Sequence, residues 1–113
     1  ICIDKKIPSH DSLKNGASFG VNICTSEQGK LAWDFANSNV DKNELILSLN
    51  HRITDDKVPL LNDCLASMEC TLKETYEGGD HTIFVGQIES GDFSEKSDPL
   101  VYYKSGLGNF TSN

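Results

Sequence analysis

Alternation of apolar and polar residues is clearest in the C-terminal half of the chain. Ala66, Met68, Cys70 and Leu72 alternate with Ser67, Glu69, Thr71 and Lys73, the period of two imposed by a strand with one covered face. Glu77-Gly78-Gly79-Asp80 is a strong turn signal, because glycine reaches the positive φ that a tight hairpin requires. His81–Glu89 carries Ile83, Phe84, Val85 and Ile88 and predicts the returning strand of an antiparallel hairpin. A polar loop is expected over Ser90–Pro99 and a further strand over Leu100–Lys104, with a loose tail after Ser105.

The N-terminal half mixes periods. Ile1–Asp4 reads as the end of a strand, and Pro8 disfavours helix at Ile7. A short helix is predicted from Ser9 or His10 through Asn15, with Gly16 as its C-cap. Along Ser18–Cys24, Phe19, Val21 and Ile23 share one face and Ser18, Gly20, Asn22 and Cys24 the other, again a strand. Thr25-Ser26-Glu27-Gln28 reads as a capping box with Gln28 at the third helical position. The helix it opens carries Leu31 and Phe35 and should end near Asn37–Asn39. Over Val40–Asn62, Leu45, Ile46, Leu47 and Leu49 fit helix and strand equally; Asp55-Asp56-Lys57 reads as a turn and Pro59-Leu60-Leu61 as the approach to the next element. About four or five strands and two helices in mixed order, without a βαβ rhythm, predict a β-rich α+β domain. So few strands do not close a barrel alone, so a partner chain or a further segment is expected to cover at least one sheet edge.

Composition narrows the chemistry. A chain of 113 residues, 37% hydrophobic and 24% charged, has the balance of one folded domain with a modest core. Its net charge of −7 repels phosphates without an offsetting Lys/Arg cluster, which argues against a nucleic-acid partner. Nor does any apolar run approach the roughly 20 residues of a membrane-spanning helix. Cys2, Cys24, Cys64 and Cys70 form no CxxC, and His10, His51 and His81 are widely separated; reduced core cysteines are expected, with no metal site. Asn109-Phe110-Thr111 matches a glycosylation acceptor, a triplet that arises often by chance. No nucleophile elbow points to hydrolase chemistry.

The most specific text lies on the hairpin. Leu65-Ala66-Ser67-Met68-Glu69-Cys70 leads through Gly79-Asp80-His81 into Ile83-Phe84-Val85-Gly86, and Pro99-Leu100-Val101-Tyr102-Tyr103 follows. Upstream stand Phe19-Gly20-Val21-Asn22, Leu31-Ala32-Trp33-Asp34-Phe35-Ala36 and Pro59-Leu60-Leu61. In this order the fragments resemble the flavin reductase-like family of FMN-binding split β-barrels, across almost the whole chain. The resemblance implies an antiparallel split β-barrel, incomplete here. Residues 1–113 would be roughly the C-terminal two thirds of the family's domain, because a flavin-contacting G-x-T-x-x-S-type loop that family members carry upstream of Ile1 is not in this sequence. It further implies a cytoplasmic homodimer that binds FMN or FAD and uses NADH or NADPH, with reduced flavin passing to a partner monooxygenase. The alternatives are a non-catalytic flavin-binding or electron-transfer protein, or a truncated domain without flavin.

By the same resemblance His81 is the histidine of the Gly-Asp-His turn, placed to orient nicotinamide or stabilise charge as flavin is reduced, with Asp80 fixing its tautomer. Read without it, Asp80 is a turn residue and His81 a polar strand start. Ser9, His10 and Ser12 lie where a strand gives way to a short helix, and Lys5 or Lys6 could add charge. Hydroxyls and helix N–H groups there suit a phosphate, or form an ordinary N-cap. Asn22 either meets the flavin edge or satisfies neighbouring backbone. Core packing is the first expectation for Trp33, Phe35, Tyr102 and Tyr103.

Overall fold

The structure, a computed structural model, describes residues 1–95 and 97–113. Its elements run β1 (Cys2–Asp4), α1 (Pro8–Asn15), β2 (Ser18–Ile23), α2 (Gly29–Ala36), α3 (Lys42–Ser48), β3 (His51–Ile53), β4 (Pro59–Leu61), β5 (Ala66–Gly78), β6 (His81–Phe93), β7 (Leu100–Tyr103) and β8 (Gly106–Asn109). The principal sheet is antiparallel in the order β1-β6-β5-β2, while β3-β4 and β7-β8 form separate pairs.

The β5–β6 hairpin organises the rest. Gly78 pairs with His81 at its tip, and Gly79 takes a φ of 69°, a left-handed value that glycine adopts without a Cβ clash. Register shifts between Glu69 and Cys70 and between Leu72 and Glu74 are bulges that bend and over-twist the ribbon. β2 flanks the open end of the hairpin along Ala66–Thr71, whereas β1 flanks its tip along His81–Ile83. Phe84 and Leu60 are the most deeply buried large side chains, each 1% exposed, and burial of such a side chain contributes roughly 1.5–3 kcal/mol. β4 is held onto the sheet through Leu61. Its N–H donates to Asn22 Oδ1 at 2.8 Å and its carbonyl accepts from Ser67 Oγ at 2.6 Å, so this backbone unit stays paired inside the protein.

Several boundaries differ from the sequence expectation. α1 begins at Pro8 rather than at Ser9 or His10, because the first helical position has no use for the N–H that proline lacks. Gln28 precedes α2 instead of sitting inside it. The Thr25 N–H donates to Gln28 Oε1 at 2.8 Å and the Gln28 N–H to the Thr25 carbonyl at 2.9 Å, so the box closes a turn. The ambiguous stretch begins as helix α3, capped by Asp41, whose carboxylate accepts from the N–H groups of Asn43 and Glu44; a cap of this kind is worth about 1 kcal/mol. β6 continues through Ser90–Phe93, where a loop was expected. The tail forms β8, through a two-residue turn in which Lys104 and Ser105 take φ values of 48° and 64°.

The aromatic residues also depart from expectation. Trp33, Tyr102 and Tyr103 are 51%, 63% and 70% exposed, and Phe35 is half-buried. Trp33 meets Tyr102 edge-on, with centroids 6.4 Å apart, because the β7–β8 hairpin lies beside α2. Ile83, Val85 and Tyr76, which share one face of the long hairpin, are left exposed. Among the described residues no helix is long and apolar enough to cross a membrane.

Candidate functional site

Strand β6 places His81 at the corner of the hairpin, opposite both Gly78 and Asp4. The His81 Nδ1 is hydrogen-bonded to Asp80 Oδ1 at 2.8 Å, and the pair is half-exposed to exposed. The hydrogen bond from His81, and then the charge of its ring, hold the Asp80 carboxyl below the ordinary carboxylate value. With Nδ1 engaged by a carboxylate, Nε2 is the atom left to meet a ligand. The corner is braced from β1, since the Lys5 N–H donates to the Asp80 carbonyl at 3.0 Å and Lys5 Nζ reaches Glu77 Oε2 at 2.5 Å.

Glu77 is likewise depressed, by the hydrogen bond from Lys5 first and by its charge second. A carboxylate depressed in the folded state stabilises the fold fully above its ordinary pKa, and that contribution is lost as pH falls through the depressed value. Carboxyl NMR titration should therefore place Glu77 below an ordinary glutamate, and Lys5→Met should return it upward. An unchanged midpoint in the variant would show the ion pair to be absent in solution.

On α1 the candidate residues separate. His10 is 5% exposed; its Nδ1 meets Asp11 Oδ1 at 2.9 Å, its Nε2 meets Thr82 Oγ1 at 2.8 Å, and its ring lies edge-on to Phe84. Both nitrogens are committed, so His10 ties the helix to β6 and is not placed to take a ligand. Ser12 is exposed and its hydroxyl donates back to the Pro8 carbonyl at 3.4 Å. Lys6 is exposed, its backbone N–H bonded to Asp4 Oδ1. Ser9 lies at the first turn, where the N-cap Ile7 supplies no side-chain cap.

Ser9 also lines a cavity of about 710 Å³ with Ile7, Pro8, Phe35, Val40 and Lys42. Lys42 Nζ donates to the carbonyls of Asn37 and Val40, which fixes the loop along one wall. A smaller cavity of about 220 Å³ is lined by Asn22, Cys24, Ala32, Phe35 and Leu61. Phe35 is thus the wall common to the Ser9 and Asn22 cavities. The structure brings Ser9 and Asn22 to two hollows that share Phe35, and Asp80 and His81 to the hairpin corner; Lys6 is exposed beside β1 and lines neither hollow. Sequence reasoning missed Val40 and Lys42, which fall in the stretch whose apolar spacing fits helix and strand equally. A third hollow of about 170 Å³ beside Arg52 and Asp92 is too small for a fused ring system, and its guanidinium is already engaged by Asn62 and Asp92.

Comparison with known proteins agrees with this architecture. The model of the flavin reductase like domain matches residues 1–111. The chain is 30% identical over 110 residues to the reductase component of 4-nitrophenol 4-monooxygenase/4-nitrocatechol 2-monooxygenase from Rhodococcus opacus, covering 97% of this chain and 57% of that protein. It is 26% identical to a flavin reductase from Pseudomonas putida, covering 96% of this chain and 62% of that protein. Among solved structures, the NADH:FAD oxidoreductase SgcE6 of Streptomyces globisporus, in complex with NAD and FAD fragments, superposes with a TM-score of 0.88 at 27% identity, covering 98% of this chain and 66% of that one. BorF, the flavin reductase component of a bacterial two-component tryptophan halogenase, gives 0.87 at 27% identity, covering 99% and 71%. The chain therefore spans 57% to 62% of the length of these two curated relatives, and it belongs to the flavin reductase-like family.

Proposed function

We propose that this chain is the larger part of an NAD(P)H-dependent flavin reductase that binds FMN or FAD. The observation that carries the reading is the paired hollow around Phe35, with Ser9 at the uncapped first turn of α1 on one side and Asn22 on the other. The donor set fits a flavin. The hydroxyl and N–H of Ser9, at the start of α1, suit a phosphate, and the Phe35 wall suits an apolar ring. When bound, flavin accepts hydride from the nicotinamide at N5. The protein's part is positional. Asp80 holds the His81 ring through Nδ1, so that Nε2 can hydrogen-bond the nicotinamide amide or the reduced ring system. Phe35 and its apolar neighbours exclude water from one face.

Homodimerisation belongs to the same reading, supported by the exposed Ile83, Val85 and Tyr76 on one face of the hairpin, an apolar surface of the kind that second copies cover. So does delivery of reduced flavin to a partner oxygenase, as the names of the Rhodococcus opacus relative and BorF suggest. A cytoplasmic setting follows from the supply of nicotinamide there. The test is to titrate FMN and FAD against the natural-length protein and to follow NADH and NADPH consumption with each. Flavin fluorescence should change on binding, and nicotinamide should be oxidised in step with flavin. Absence of both binding and oxidation would overturn the proposal.

A further inference from the structure

The cysteines are distributed unevenly. Cys24 follows the last residue of β2, and Cys64 lies just ahead of β5. The two strands pair antiparallel with Ile23 opposite Ala66, and the Leu65 N–H donates to the Ile23 carbonyl at 2.8 Å. That hydrogen bond sets positions 24 and 64 across from one another, where Cα atoms of an antiparallel pair lie about 4.5–5.5 Å apart, within the span a disulfide bridges. The thiols touch. Cys24 and Cys64 act on each other by a thiol–thiol hydrogen bond, and the Gln28 amide reaches Cys64 as well. Gln28 is itself fixed from both sides, through the Thr25 N–H and the Asp63 carbonyl. Cys24 also faces the smaller hollow beside Phe35, which gives a small oxidant access.

We infer that Cys24 and Cys64 form a reversible disulfide that staples the end of β2 to the start of β5 when the protein meets hydrogen peroxide. The chemistry balances. The Cys24 sulfur, as thiolate, attacks one peroxide oxygen; the O–O bond breaks, hydroxide leaves and Cys24 becomes a sulfenic acid. The Cys64 thiolate then attacks the Cys24 sulfur, the S–O bond breaks and a second hydroxide leaves. The two thiol protons convert the hydroxides to water. The two sulfurs together lose two electrons and the peroxide gains them. Burial raises both thiols, Cys64 to about 11, so the oxidation is slow and takes sustained exposure.

The test treats the reduced full chain with hydrogen peroxide and maps its peptides without reductant. A Cys24–Cys64 cross-linked peptide should form, disappear with dithiothreitol and persist in Cys2→Ser and Cys70→Ser. The oxidised protein should melt about 5–15 °C higher. In Cys64→Ser the Cys24 sulfenic acid should be trapped by dimedone instead. Oxidation that stops at separate sulfinic acids on Cys24 and Cys64, or that leaves both thiols open to alkylation while Cys2 reacts, would overturn the inference.

Discussion

Gly86→Val should destabilise the protein by at least about 3 kcal/mol in urea unfolding. A Cβ at position 86 would lie 2.6 Å from Phe19 Cζ and 3.0 Å from the Cβ of Cys70. Phe19 is 8% exposed and Cys70 4%, so neither can withdraw into solvent. The Phe19 ring fills the space that a side chain would take, and Cys70 offers a backbone-anchored atom that cannot rotate away. Alanine at the same position should cost less, and its cost should shrink in a Phe19→Leu background, because the two substitutions share one contact. A valine variant that unfolds within about 1 kcal/mol of the parent would show that Phe19 does not occupy this position in solution.

His81→Ala should lower the turnover of flavin reduction by roughly 10–100-fold, a loss of about 1.4–2.7 kcal/mol in the transition state. Flavin affinity should stay within about threefold, since the phosphate and ring contacts proposed lie at Ser9 and Phe35 and not at the imidazole. Asp80→Asn should produce a smaller loss and change the pH profile of turnover, because Asp80 acts through the ring and not on the substrate. Stopped-flow reduction of bound flavin by NADH checks both variants. Unchanged reduction in His81→Ala would leave flavin binding standing and remove the role given to the corner, which favours a non-catalytic flavin carrier.

The parts legible in the sequence were those whose signal is local. The hairpin tip at Gly79 follows from residues next to one another, and the β2 alternation from Phe19 to Ile23 gives its face directly. The parts that were not legible depend on distant partners. Nothing near Leu45 says that Asp41 will cap a helix there instead of sitting in a loop. Lys104-Ser105 turns a hairpin without the Asn-Gly or Asp-Gly pair that marks such turns, so β8 was hidden. Ser90–Phe93 is polar because β6 is exposed there on both faces, and polar strands read as loops. Within the candidate site, the contact between Asp80 and His81 was legible because the two are neighbours at the turn. His10 carries the right chemistry at the right place in the chain, yet its ring turns inward to Thr82, which no spacing rule shows. Phe35 as the wall between two hollows follows only from where the fold sets α2.

That inward turn of His10 has a mechanical meaning. Its Nε2 is bonded to Thr82 at 2.8 Å, and Thr82 is the neighbour of His81 in β6. Helix α1 and the hairpin corner are thereby joined by a short, buried strut. Whatever settles against the first turn of the helix presses on the same strand that carries the imidazole, so the start of α1 and the hairpin corner share one rigid frame.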